Sequence, residues 1–97
     1  MDRAAATRIL RAETTRLAAR TYSELAGLVG DIEVYEFRGA DGVRYQIEVE
    51  VHWVASPDGP VQVLASIDDG SFRSAFRPVT DSFVKSPATE GASSDGE

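Results

Sequence analysis

Tyr45-Gln-Ile-Glu-Val-Glu-Val-His-Trp53 is the stretch that decides the fold of this chain. Apolar residues stand at 45, 47, 49, 51 and 53, and polar ones at 46, 48, 50 and 52. Strand side chains alternate between two faces, so this segment buries one face and wets the other. Val, Ile, Tyr and Trp suit such a half-buried pleated surface. Extended to about Val43–Ala55, the strand exceeds the usual length of about five or six residues, and a bend or bulge is expected in it.

The residues before it give a partner strand, about Asp31 to Arg38. Its alternation is ambiguous, because Ile32 and Val34 point one way while Tyr35 and Phe37 point the other. Ala40-Asp41-Gly42 suits a three-residue hairpin loop closed by a left-handed glycine. That loop pairs Phe37 with Tyr45 and Tyr35 with Ile47, which puts the aromatics on the buried face. A two-residue Asp41-Gly42 turn would bury Ile32 and Val34 instead, since a slip of one residue exchanges the faces.

Further back, Arg3 to about Leu28 reads as one helix, rich in Ala, Leu, Arg and Glu and without proline. Asp2 is a candidate N-cap, and Gly27 or Gly30 a stop. Ala6, Leu10, Leu17, Thr21, Leu25 and Leu28 share one stripe, with Arg8, Arg11, Arg16 and Arg20 largely opposite. Ile9, Tyr22 and Val29 lie off that stripe.

Downstream, Ser56-Pro57-Asp58-Gly59-Pro60 is a turn in which proline presets φ and glycine is free to take positive φ. A third strand, about Val61 to Asp68, buries Val61, Val63, Ala65 and Ile67. Asp69-Gly70 signals a two-residue hairpin that pairs Ile67 with Phe72, Ala65 with Ser74 and Val63 with Phe76. The fourth strand is therefore expected at about Ser71 to Arg77, ended by Pro78. Val79 to Lys85 fits either a short edge strand or a closing turn. From Ser86 the chain is polar and has nothing to bury, so a disordered tail is expected over 86–97.

These elements make an α+β domain over residues 1–85, with one N-terminal helix packed on a four-stranded antiparallel meander in order 1-2-3-4. The uncovered sheet face would show Gln46, Glu48, Glu50, His52, Gln62, Leu64, Ser66, Arg73, Ala75 and Arg77, polar enough to stand in water.

Composition removes several functional classes. No cysteine is present among the 97 residues, so disulfides, cysteine nucleophiles and thiolate metal sites are excluded. No apolar run approaches the ~20 residues of a membrane span, and a cytoplasmic protein without membrane contact is expected. The Arg- and Ala-rich start superficially resembles a transit peptide, but its apolar stripe gives it a face to bury as a helix.

The net charge of -6 is unevenly spread. Residues 1–20 carry five arginines against Asp2 and Glu13, a local +3; the remainder holds five basic against fourteen acidic residues, a local -9. Nucleic-acid binding by the main body is disfavoured, because phosphate must be met by cations. An Arg-bearing helix could still meet an acidic partner.

Site chemistry is sparse. His52 is the only histidine, which excludes a His-pair metal site. It could act as a base beside Glu50 on the same strand face, yet that face is open and implies no water-excluding pocket. Glu48 and Glu50 stand ~7 Å apart, a carboxylate spacing known in glycosidases, but alternating Glu is also ordinary on a wet strand face. Asp68 and Asp69 beside Gly70 lack the spacing of a calcium loop. No phosphate loop or nucleophile elbow appears, so an enzyme is not expected, nor any metal or cofactor.

Tyr45-Gln-Ile-Glu-Val, Ala65-Ser-Ile-Asp-Asp-Gly and Phe76-Arg-Pro-Val-Thr-Asp-Ser-Phe-Val resemble small uncharacterised bacterial proteins, a family of unknown function. The resemblance covers about Arg3 to Lys85; it implies a stand-alone bacterial domain and transfers no catalytic residue. A helix before a four-strand meander is also similar in outline to the first half of the ubiquitin-conjugating fold, an analogy of shape alone in a chain without cysteine.

The expected function is therefore a non-catalytic protein-interaction module, with a protein partner or a second copy as its target. The candidate surface comprises Arg8, Ile9, Arg16, Arg20, Glu48, Glu50, His52, Leu64, Arg73 and Arg77, with strand addition at a sheet edge as one mode. Two alternatives are a small-ligand cavity lined by Tyr35, Tyr45, Trp53, Phe72 and Phe76, and an acid–base enzyme using His52 with Glu50.

Overall fold

A computed structural model describes residues 3–40, 42–69 and 79–87. Helix α1 (Arg3–Ala18) and the short helix α2 (Tyr22–Ala26) precede four strands, β1 (Ile32–Arg38), β2 (Arg44–Trp53), β3 (Val61–Asp68) and β4 (Val79–Lys85). The strands form one antiparallel sheet in the expected order β1-β2-β3-β4. Among the described residues no helix is long and apolar enough to cross a membrane.

The alternation of β2 is realised side chain by side chain. Tyr45, Ile47, Val49 and Val51 are buried, and they pack with Val61, Val63, Ala65 and Ile67 of β3. Leu10, Leu17 and Leu25 close this core from the helical side, and Ile9, Tyr22 and Trp53 pack at its margin. The β2–β3 register runs without interruption from Gln46↔Asp68 to Trp53↔Val61, so the paired part of the strand carries no bulge.

The first hairpin follows the three-residue loop. Phe37 pairs with Tyr45 and Tyr35 with Ile47. Gly39 N–H donates to the Val43 carbonyl (2.9 Å), and Gly42 has φ +81. The aromatics lie on the helix-facing side, but Tyr35 is only half-buried and Phe37 remains exposed. α1 rests mainly on β3 and β4, and β1 projects beyond it.

Three expectations need correction. First, the single helix from Arg3 to Leu28 is two helices, and Thr21 is not on the buried stripe. Thr21 takes an extended conformation and caps α2, accepting from Glu24 N–H while its own N–H donates to the Glu24 carboxylate, each at 3.1 Å. This Thr-x-x-Glu capping box starts a new helix inside a helix-favouring sequence. The end of α1 is held by Lys85, whose ammonium donates to the carbonyls of Ala18 (2.8 Å) and Arg20 (2.7 Å).

Second, the partner of β3 is Val79–Lys85 and not residues 71–77. Ile67 pairs with Val79, Ala65 with Asp81 and Val63 with Phe83, so the positions assigned to Phe72, Ser74 and Phe76 are taken. Residues 70–78, with Arg73 and Arg77, lie outside the described residues, as do Asp2 and 88–97 of the expected tail. The helix-facing positions of β4 are Val79, Asp81, Phe83 and Lys85, two of them charged. Asp81 accepts from the Thr14 hydroxyl at 2.8 Å and Lys85 binds the end of α1. Polar residues that find partners only in the folded state hid this strand's period.

Third, the left-handed residue in the 56–60 turn is Asp58 (φ 70), not Gly59. Gly59 N–H donates to the Ser56 carbonyl at 3.1 Å, closing a turn with Pro57 at its second position. Positive φ at the third position is the signature of a type II turn, and aspartate tolerates it better than most side chains.

Candidate protein-interaction surface

The candidate residues divide between opposite sides of the molecule. Arg8 and Arg16 are exposed on α1, and Arg20 is half-exposed just past its end. Ile9 packs against the core and so contributes little open surface. Glu48, Glu50, His52 and Leu64 stand on the face of the sheet away from the helices. They do not form one patch with the arginines.

On the open face, pairing brings Ile32, Glu50, Leu64 and Ser82 into one row and Val34, Glu48, Ser66 and Thr80 into the next. His52 Nε2 lies 2.9 Å from Glu50 Oε1, with the imidazole largely exposed. Hydrogen bonds from His52 and then Glu48 hold the Glu50 carboxyl below its usual range, whereas the bond to Glu50 and its negative charge raise Glu48. The two carboxyls thus hold their protons unequally, as adjacent acids do. The arrangement stands open to water, and the described residues contain no group of three or more metal-ligating side chains.

Helix and sheet meet through a second polar group. Glu13 is buried on the face of α1, accepts from the Tyr35 hydroxyl at 2.5 Å and pairs with Arg16. Burial pushes the Glu13 carboxyl up, but the Arg16 and Tyr35 donors and the nearby positive charge more than offset it, leaving it lowered. Burial and the Glu13 charge raise the Tyr35 phenol. Glu13 and Thr14 therefore tie neighbouring helix positions to opposite edges of the sheet, β1 through Tyr35 and β4 through Asp81. Arg16, expected as a surface cation, is engaged in this group.

Tyr45 and Trp53 sit at opposite ends of β2, roughly 27 Å apart at ~3.4 Å per residue, so they do not line one small cavity. Tyr45 is 1% exposed and part of the core. An open cavity of about 170 Å³ lies at the hairpin end of the sheet, between Glu36, Arg44, Tyr45, Gln46 and Asp69.

The sequence reading placed β1 but missed how much of its apolar surface is exposed. β1 is an edge strand, and Ile32, Val34 and Phe37 are 60%, 52% and 40% exposed, on both of its faces. The signal was present as the ambiguous alternation of residues 31–38, since a strand with apolar groups on both sides, of which only Tyr35 packs against the core, gives no clean period. The Gly39–Val43 bond fixes which backbone groups are available. Bonded pairs alternate along an antiparallel ladder, so 37/45, 35/47 and 33/49 are bonded and the N–H and C=O of Ile32, Val34, Glu36 and Arg38 point away from β2.

No family model, curated protein or solved structure matches the chain.

Proposed function

We propose that this chain is a non-catalytic protein-interaction module that receives a protein partner at the β1 edge of its sheet. One observation carries the reading: an edge strand of seven residues presents exposed apolar side chains on both faces together with outward-pointing backbone groups. Natural edge strands are usually shortened, bulged or covered, because such an edge is a template for another strand. Charge on Glu33, Glu36 and Arg38 keeps this edge soluble until a partner covers it. The Arg-bearing face of α1 is a second contact surface for an acidic protein. The lack of cysteine suits a reducing bacterial cytoplasm, where we place the protein.

Val34→Pro separates the edge from the rest of the surface. The Val34 N–H points outward, so proline there costs no bond to β2 but blocks an added strand. Tagged wild-type protein should retain a stoichiometric partner from its native lysate that Val34→Pro loses. Wild-type protein that remains strictly monomeric and retains nothing would refute the reading.

A further inference from the structure

We infer that the occupant of the β1 edge is an extended segment alternating basic and apolar residues, added antiparallel or parallel as a fifth strand. The inference rests on the interaction reading above and names its partner class. An added strand would face two different environments, because β1 has two different sides. On the helix side its neighbours are Tyr35, half-buried at the margin of the core, the exposed ring of Phe37 and, toward the start of the strand, the exposed Glu33. Apolar side chains there would extend the core past the reach of α1. On the open side its neighbours are Ile32, Val34 and Glu36, with Glu48 and Glu50 one strand further in and Arg38 beside Arg44 at the hairpin end, so the acidic part of this side is its Ile32–Glu36 end. Lysine or arginine suits that side, since the aliphatic stem covers Ile32 and Val34 while the charged head reaches the carboxylates.

The charge balance selects the same partner. Residues 31–53 carry Asp31, Glu33, Glu36, Asp41, Glu48 and Glu50 against Arg38 and Arg44. A second copy would bring two molecules of like net charge, each at -6, edge to edge, which disfavours self-pairing. The arginines of α1 cannot substitute, because a helix has no spare backbone groups to offer a strand.

The test uses the full chain, labelled with nitrogen-15, and two capped octapeptides, one alternating lysine with valine and one alternating glutamate with valine. The lysine peptide should slow hydrogen exchange at the Val34 and Glu36 amides, while the Tyr35 and Phe37 amides, already bonded to β2, change little. The glutamate peptide should bind about tenfold or more weakly, given Glu36 beside the added strand and Glu48 and Glu50 within reach behind it. Val34→Pro should abolish binding of the lysine peptide. Should that variant fail to fold, Glu36→Lys, at an exposed position, should weaken the lysine peptide and strengthen the glutamate one. Equal binding of both peptides, or protection of the same amides by raising protein concentration alone, overturns the basic partner but leaves an interaction edge. Protection by neither peptide nor concentration overturns the basic partner, and the lysate capture described above then decides separately whether the edge receives a protein at all.

Discussion

Glu13 is the residue whose removal tests how helix and sheet are joined. Its carboxylate accepts from the Tyr35 hydroxyl and pairs with Arg16, and the side chain is only 11% exposed. A hydrogen bond to a charged group contributes about 1.5–3 kcal/mol, and the half-buried position of Tyr35 places this one near the lower end. The Arg16 side chain is 59% exposed, so the ion pair itself adds only about 0.3–0.5 kcal/mol. Glu13→Gln keeps the shape and an acceptor but loses the charge, and should cost about 1.5 kcal/mol. Tyr35→Phe should cost a similar ~1.5 kcal/mol. The double variant should fall short of the sum by about 1 kcal/mol, because one change weakens and the other removes the same bond. In a domain of this size 1 kcal/mol shifts Tm by roughly 4–8 °C, so each single variant is readily measured by thermal or urea denaturation.

The pH dependence fixes the sign. The folded-state pKa of Glu13 is lowered, so its contribution is present above the unfolded value of about 4.3 and is lost as pH falls through the folded one. The gap between wild type and Glu13→Gln should be constant near neutrality and narrow below about pH 4. A gap that persists unchanged into strong acid, or a Tyr35→Phe variant as stable as wild type, would refute this account of the joint.

Other perturbations address the local corrections. Thr21→Ala removes the capping box and should cost about 1 kcal/mol, read as a lower Tm and a loss of helical ellipticity. Lys85→Met removes both ammonium bonds to the end of α1 and should also cost about 1 kcal/mol by urea titration, with little effect if those carbonyls are satisfied equally well by water. Asp58→Gly relieves a positive φ and should stabilise by about 0.5 kcal/mol after glycine's extra unfolded-state freedom is counted, whereas Asp58→Ala should destabilise.

The contrast between β2 and β4 explains how far the sequence could be read. In β2 and β3 every helix-facing position from Tyr45 to Val51 and from Val61 to Ile67 is apolar and buried, so period alone located them. In β4 the same face holds Asp81 and Lys85, whose partners Thr14, Ala18 and Arg20 lie more than sixty residues away. Periodicity measures burial in general, and it fails where burial is made tolerable by a particular distant bond. Glu13 was missed for that reason. The break at Thr21 was legible in its Thr-x-x-Glu spacing, but helix propensity on both sides favoured continuing through it.

The width of one helix accounts for the exposure of β1. A helix is about 10–12 Å across and strands are about 4.8 Å apart, so one helix roofs two strands of four, or little more. The capping box at Thr21 also shortens α1 to 16 residues and turns α2 toward β3, where Tyr22 donates to the Gly59 carbonyl at 2.8 Å. Among the described residues, the helical layer reaches β1 mainly through the bond from Tyr35 to Glu13. A strand so placed has two self-sufficient solutions: polar side chains on both faces, or none long enough to matter. β1 adopts neither, keeping Ile32, Val34 and Phe37 exposed along seven residues of unpaired edge. About half of that apolar surface stays in water in the isolated domain, and burying it is what an added strand would contribute under the proposed interaction.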